Sequence, residues 1–170
     1  LNAGGNEALA VNQLRRTLRG IANIKDSIQC ITIITESGDI IFYDKPTASS
    51  IKNSWLDTMN LTPEELYDKI SNENSTQYIT TRYASSFSAK PYYLFHLAHR
   101  IVDYNSIHRQ LGVIIISIDE RLLHEVCNQN SVDGDDTLPG NVNFIVDDEG
   151  RLVTFPVQRS IENTVLPIPE

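Results

Sequence analysis

The stretch "IITESGDIIFYD" at Ile33–Asp44 decides the fold, because it encodes two strands and the turn between them. Aliphatic residues stand on both sides of a polar centre, and Gly38 within "ESGD" marks a tight turn. The β-rich segments Ser27–Glu36 and Asp39–Asp44 therefore predict an antiparallel hairpin.

A second stretch, "IVDDEGRLVTFP" at Ile145–Pro156, follows the same pattern of aliphatic pairs around a polar centre that contains one glycine. It predicts a second hairpin over Val142–Pro156, after an acidic segment, 130–141, that is typical of a linker. Two hairpins can be alike by chance, or each can open a module of the same kind. A hairpin alone is marginally stable, so this one should lean on the first domain or on a second copy, or stay loosely ordered.

The N-terminal part of the chain predicts a helix from Glu7 to about Lys25, after a frayed Leu1–Asn6. Its apolar residues recur at spacings of three and four and share one face: Val11, Leu14, Leu18 and Ile21. Such a seam suits packing on a sheet, and it also suits pairing with a second copy.

The remaining elements complete an α+β pattern. Thr62 begins "TPEELYDKI", with Pro at the first helical position and Glu65 three residues after Thr62, which is a capping-box signature. A shorter helix through Thr58 is predicted before it. Further strands are predicted over 77–83, 92–104 and 110–119, and a helix over 120–128. We expect an antiparallel sheet with a long N-terminal helix and a helical insert.

Composition excludes some classes of protein. The chain has 170 residues and a net charge of -8, which argues against a nucleic-acid-binding domain, since phosphate contacts need clustered Lys and Arg. No apolar run reaches the length of a membrane span. The chain does not begin with Met, so we expect a piece of a longer protein. Cys30 and Cys127 lie in apolar segments and are predicted to be buried thiols, with a single bridge between them left open.

Motifs for catalysis and for metal binding are missing from the sequence, and we predict neither catalytic residues, nor a metal, nor a cofactor. His96 and His99 are three apart in a predicted strand, so alternation places them on opposite faces. The acidic run Asp133–Asp136 lacks the spaced ligands of a calcium loop.

Aromatic residues gather around the middle strands, where side chains with an apolar body and a polar end suit a small-molecule pocket. The alternative for each is ordinary core packing. By position and type, the predicted ligand-binding residues are Trp55, Tyr78, Arg82, Tyr93 and His96.

The order of elements resembles the Cache domain, the PAS-like extracytoplasmic sensor module of bacterial receptors. The resemblance rests on "ITIITESGDIIFYDK", the Trp-bearing helical insert and the final strand "LGVIIISIDERLLHEV", and it covers roughly residues 7–156. More narrowly, "LRRTLRGIANIKDSIQCITIITESGDIIFYD" is similar to the sensor histidine kinases of the YesM type.

The resemblance implies a domain organisation and a function. It implies a stalk helix over 1–26, a PAS-like Cache sensor domain over 27–129, the linker over 130–141, and a hairpin over 142–170 that opens a truncated second module. The parent would span the membrane before residue 1 and again beyond residue 170. Its extracytoplasmic part would bind a small molecule, form a homodimer through the N-terminal helix, and signal to a cytoplasmic kinase.

Two positions depart from the pattern of the amine-binding members of the family. Those members carry an Arg-x-Trp-Tyr stretch, whereas this chain has Arg82-Tyr83-Ala84. They also place an Asp near the end of the final strand, where this chain has Ser117, with Asp119 two residues later. A buried amine needs a carboxylate partner, so an amino-acid ligand is not expected.

Other functions fit the same residues. The parent could be a chemoreceptor or a cyclic-nucleotide signalling enzyme, which only the sequence beyond this chain would distinguish. The domain could also be an α+β enzyme whose site escapes sequence motifs, or a dimerising ectodomain that binds no ligand.

Overall fold

The computed structural model describes residues 3–45, 59, 61–84, 92–129, 145–146, 150 and 152–154. Across these residues the protein is α+β, as predicted. Its described helices are α1 (Ala3–Ala22), α2 (Pro63–Ser71) and α3 (Arg121–Gln129). Its described strands are β1 (Ile28–Thr35), β2 (Ile40–Asp44), β3 (Gln77–Ala84), β4 (Tyr92–Asp103), β5 (Ser106–Asp119), β6 (Ile145–Val146) and β7 (Leu152–Thr154).

The main sheet has five strands in the order β2-β1-β5-β4-β3. The hairpin predicted from "IITESGDIIFYD" forms its β2 edge, where Ile33 pairs with Ile41. Gly38 takes a φ of 86° in the turn, a conformation that glycine adopts at little cost. Its N–H donates to the carbonyl of Thr35 at 2.9 Å, which closes the turn.

β1 also pairs antiparallel with β5, although the two strands lie far apart in sequence. The register shifts between Ile28 and Cys30, so that β1 has one extra residue, Gln29, opposite the step from Ile118 to Ser117. This is the pattern of a β-bulge. Because of the bulge, Ile28 and Cys30 face opposite sides of the sheet although they are two residues apart.

Helix α1 covers one face of the sheet. Leu18 and Ala22 are buried against Ile31, Ile33 and Ile41, and this set is called here the α1 cluster. The helix begins at Ala3, so the prediction that Leu1–Asn6 would fray is wrong for the residues from Ala3 onward. Each residue added to an existing helix gains a hydrogen bond, which lets α1 extend past the predicted start.

The C-terminal end of α1 differs from the prediction as well. Ala22 is fully buried, whereas Ile21, predicted on the packed face, is 40% exposed. The reason is geometric: Ala22 follows Leu18 by four residues and stays on the same stripe, while Ile21 lies beside it. The N–H of Ile24 donates to Ile21 O at 3.1 Å, a three-residue spacing that tightens and ends the helix.

Helix α2 packs on the opposite face, and it begins with the predicted capping box. The Thr62 hydroxyl accepts from the N–H of Glu65 at 3.2 Å, and Glu65 Oε2 accepts from the N–H of Thr62 at 2.7 Å. The buried side chains of this layer are called here the α2 cluster: Ile34, Met59, Leu66, Ile70, Ile79, Ala98, Val113 and Ile115. The shorter helix predicted through Thr58 lies outside the described residues.

The chain divides into two compact units, one of Leu1–Ile79 with His96–Ile118, and one of Thr80–Phe95 with Asp119–Glu170. Both clusters belong to the first unit. In the second, the predicted second hairpin is present as β6 paired with β7, and Gly150 has a φ of 75°. The predicted linker over 130–141 lies outside the described residues, and the predicted domain bounds stay a prediction.

Candidate functional site

Three buried polar side chains and one buried thiol form a row across the sheet in the first unit. Cys30 pairs with Asp44 on one side and with Ser117 on the other, and directly paired residues face the same side of a sheet. On the next strand, His96 Nδ1 lies 2.9 Å from Ser117 Oγ. Asp44, Cys30, Ser117 and His96 are called here the polar row.

The polar row is almost completely shielded from solvent. The exposed fractions are 3% for Asp44, 0% for Cys30, 1% for Ser117 and 0% for His96. Thr32, two residues along β1, is equally buried, and its hydroxyl lies 3.5 Å from Cys30 Sγ. Burying polar groups costs free energy unless each finds a hydrogen bond, so such a concentration is not what packing alone favours.

The row continues the face that carries α2. Along β1 and β5, Ile34 pairs with Val113, Thr32 with Ile115, and Cys30 with Ser117. Steps of two residues keep the same face. One half of this face is therefore apolar, under α2, and the other half is polar.

The polar row suits hydrogen bonding better than covalent chemistry. Burial, reinforced by the nearby Asp44 charge and opposed by the Thr32 contact, raises the pKa of Cys30 to about 12. The thiol is therefore protonated at neutral pH, and a thiol is a poor nucleophile.

The Ser117–His96 pair has the contact that a nucleophile and a base need, but Asp44 cannot orient His96 as the third member of a triad. Asp44 lies on β2 and His96 on β4, with β1 and β5 between them. Neighbouring strands lie about 4.8 Å apart, so these two residues are separated by roughly 14 Å. The row is thus an extended surface of donors and acceptors rather than a convergent catalytic centre.

The residues predicted from the sequence are distributed across the structure. His96 lies in the polar row, whereas Tyr78 on β3 and Tyr93 on β4 are half-buried. Arg82 lies on β3, and nothing of its side chain is described. Trp55 lies outside the described residues. Tyr78 and His96 belong to the first unit, and Arg82 and Tyr93 to the second.

The predicted opposite orientation of His96 and His99 agrees with their surroundings. His96 is fully buried beside Ser117, while His99 Nδ1 lies 3.5 Å from the hydroxyl of Thr76. Among the described residues, no group of three or more His, Cys, Asp or Glu side chains lies close enough to hold a metal ion.

Sequence reasoning missed the other members of the polar row. Asp44 ends β2 on the same face as Phe42 and Ile40, so the sequence indicates which face it occupies but not that this face is buried. Pairing β1 with β5 brings Cys30 to Ser117, and no local pattern gives that register.

Asp119, the acid that follows Ser117, has a structural role. Its carboxylate accepts from the backbone N–H of Arg121 at 3.0 Å and from Arg121 Nε at 3.0 Å. The same contact raises the pKa of the Arg121 guanidinium. Asp119 therefore fixes the start of α3, in the second unit.

The second unit holds a polar contact of its own. The hydroxyl of Thr154 on β7 donates to Glu120 Oε1, and both residues are buried. The backbone N–H of Glu120 donates to Tyr93 O at 3.0 Å. Burial, with a further contribution from Glu120, raises the pKa of Cys127. Both cysteines are buried, which confirms the prediction of burial.

In comparisons with known proteins, no family model matches the chain, and no curated protein shows a significant match. In the part of the chain that the structure describes, no helix combines the length and the apolar character needed to cross a membrane.

Proposed function

We propose that this chain is the extracytoplasmic ligand-sensing domain of a membrane-bound two-component sensor histidine kinase, with the polar row as its recognition surface. One observation carries the proposal: the polar side chains of Asp44, Ser117 and His96, with the Cys30 thiol among them, are buried on a sheet face whose other half is apolar. Ligand sites place a few polar groups within an apolar surround in this way.

The arrangement of elements supports the sensor assignment. A long N-terminal helix, a Gly-turn hairpin, a helical insert and a final strand that leads directly into a helix are what the Cache resemblance implies. The PAS-like identity, the location outside the cytoplasm and the kinase output remain parts of this proposal. A chemoreceptor or a cyclic-nucleotide signalling enzyme would use the same module with a different output.

The chemistry of the row defines the ligand. Asp44 contributes carboxyl oxygens that accept hydrogen bonds, while Ser117 in the row and Thr32 beside it contribute hydroxyls that donate or accept. We therefore expect a small molecule with hydrogen-bond donors, such as a sugar or another polyol, or an amine. In a site of low dielectric these hydrogen bonds are stronger than in water.

A thermal-shift screen of sugars, polyols and amines against the wild-type chain tests the proposal. A compound that binds only the folded state raises the melting temperature, and the shift grows with the logarithm of its concentration once this exceeds its Kd. We expect at least one such compound, and we expect Asp44→Asn to lose the shift.

The matched control is Asp68→Asn, which removes the same charge from an exposed position on α2. It should keep the full shift. If no compound in these classes stabilises the protein, or if Asp44→Asn keeps the shift, the polar row is not the recognition surface. A domain that pairs with a second copy and binds no ligand would then be the better description.

A further inference from the structure

Lys45, the residue directly after β2, holds the C-terminal end of α1. Its ammonium group donates to Ala22 O at 3.2 Å and to Lys25 O at 3.0 Å. The last carbonyls of a helix lack donors from within the helix, and a cation near them is favourable. The Lys45 side chain is only 23% exposed, so these bonds are partly protected from water.

Backbone contacts tie the same region together. The N–H of Lys45 donates to Gln29 O at 2.8 Å, and the N–H of Ile28 donates to Lys25 O at 3.2 Å. Gln29 Nε2 donates to Asp26 O at 2.8 Å. The end of α1, the start of β1 and the end of β2 are thus joined, with the Lys45 side chain as the link that reaches the helix itself. The Lys45–Asp26 ion pair at 3.6 Å adds little, because Asp26 is fully exposed.

The neighbouring residue belongs to the polar row. Asp44 is buried beside Cys30 on the face of the row, whereas the ammonium group of Lys45 reaches the carbonyls of Ala22 and Lys25 at the end of α1. One short piece of backbone therefore carries Asp44 on the side of the row and Lys45 on the side of α1. A shift of this backbone must move both side chains.

We propose that Lys45 couples the polar row to the N-terminal helix. A change at Asp44, such as ligand binding, alters the hydrogen bonds that Lys45 donates to the carbonyls of Ala22 and Lys25. The stability of the last turn of α1 changes as a result. The coupling lies within one compact unit. Its use in signalling rests on the function proposed above, whereas the mechanical link can be tested without any ligand.

Amide hydrogen exchange at the end of α1 measures how strongly the hydrogen bonds from Lys45 stabilise that end of the helix. The reporters are the N–H groups of Asn23 and Ile24, which donate to Arg19 O and Ile21 O. Losing a charge-assisted hydrogen bond in Lys45→Met should accelerate their exchange about tenfold. Lys45→Arg keeps a cation and should restore most of the protection.

The matched control is Lys25→Met. Lys25 contributes only its carbonyl to the contact, so this variant should leave exchange at Asn23 and Ile24 close to that of the wild type. Equal acceleration in Lys25→Met and Lys45→Met would show that Lys45 does not hold the helix end.

The coupling itself requires a double-mutant comparison. We expect Asp44→Asn to change exchange at Asn23 and Ile24 by at least threefold in the wild-type background, and to have no further effect in Lys45→Met. If Asp44→Asn does not fold, Cys30→Ala perturbs the same part of the row. No change in the wild-type background, or the same change in both backgrounds, would overturn the proposal. Because no ligand is used, these results are independent of the ligand screen.

Discussion

The two halves of one sheet face differ in chemistry although the same strands build them. Under α2 the face is apolar, with Ile34 on β1 opposite Val113 on β5. Four residues back along β1, the same face carries the polar row. Burying the apolar half stabilises the fold through the hydrophobic effect, whereas burying polar groups is costly or near neutral. On this face, stability therefore resides in the apolar half, and the burial of the polar half calls for another explanation.

The largest expected effect comes from the apolar half. Leu66 is completely buried in the α2 cluster, so Leu66→Ala should lower the free energy of unfolding by about 3 kcal/mol through lost transfer energy and a new cavity. Urea denaturation measures it. Lys69→Ala, on the exposed side of the same helix, should change stability by less than about 0.5 kcal/mol. A loss below about 1 kcal/mol for Leu66→Ala would contradict the assignment of stability to this half.

A second test concerns the close approach of β1 and β5. A Cβ atom on Gly112 would lie 2.5 Å from Ile34 O and 3.2 Å from Thr35 Cα. Both neighbours are backbone atoms that cannot move aside, so Gly112→Ala should cost about 2 kcal/mol.

Gly20 provides the contrast for that test, because a Cβ there meets nothing within 4 Å. Since alanine is the better helix former, Gly20→Ala should stabilise the protein by up to about 1 kcal/mol. Thermal and urea unfolding of the two variants should therefore shift in opposite directions. Shifts in the same direction would show that β1 and β5 leave more room at Gly112 than the distance of 2.5 Å between an added Cβ atom and Ile34 O implies.

In the polar half we expect the free-energy losses of two neighbouring substitutions to depend on each other, rather than a large loss from either one alone. Removing Ser117 or His96 alone breaks the 2.9 Å contact between them. In a double-mutant cycle of Ser117→Ala and His96→Ala, we expect a coupling energy of about 1 kcal/mol. Urea unfolding of the four proteins gives this value. Strictly additive losses would mean that the two side chains are neighbours without a stabilising bond.

The last effect is of a different kind, because it appears only at alkaline pH. The pKa of Cys30 rises from 9.0 to about 12 in the folded protein. A raised folded pKa contributes stability that is fully present below the unfolded value and is lost as pH rises through the folded value. The stability advantage of the wild type over Cys30→Ala should therefore shrink between pH 9.0 and about 12. An advantage that stays constant over this range would indicate a thiol less buried than the polar row requires.

Local sequence signals predicted the elements of this fold well. The capping box at Thr62 and the turn at Gly38 each depend on residues within a few positions of one another, and both are confirmed. The α+β class and the antiparallel sheet followed from the order of such elements. The early start of α1 and the exposure of Ile21 were missed, because helix ends depend on packing and on partners that are distant in sequence.

The candidate site was less accessible to prediction. His96 was recognised from its residue type, but its partner Ser117 was noted only as a departure from a family pattern. Cys30, Asp44 and Ser117 become neighbours only when β1 pairs with both β2 and β5. That register is set by packing of the whole sheet, and no window along the chain contains it.

The extra residue at Gln29 makes the length of β1 as informative as its composition. Before it, Ile28 packs with the α1 cluster, and after it Cys30 turns to the opposite layer. The alternation of inward and outward side chains along β1 therefore changes register at Gln29. Deleting Gln29 would keep Ile28 and Cys30 on opposite faces, because adjacent residues of a regular strand alternate, whereas deleting a residue from the middle of β1 would move a whole segment to the wrong face, an error that no single side-chain replacement could produce.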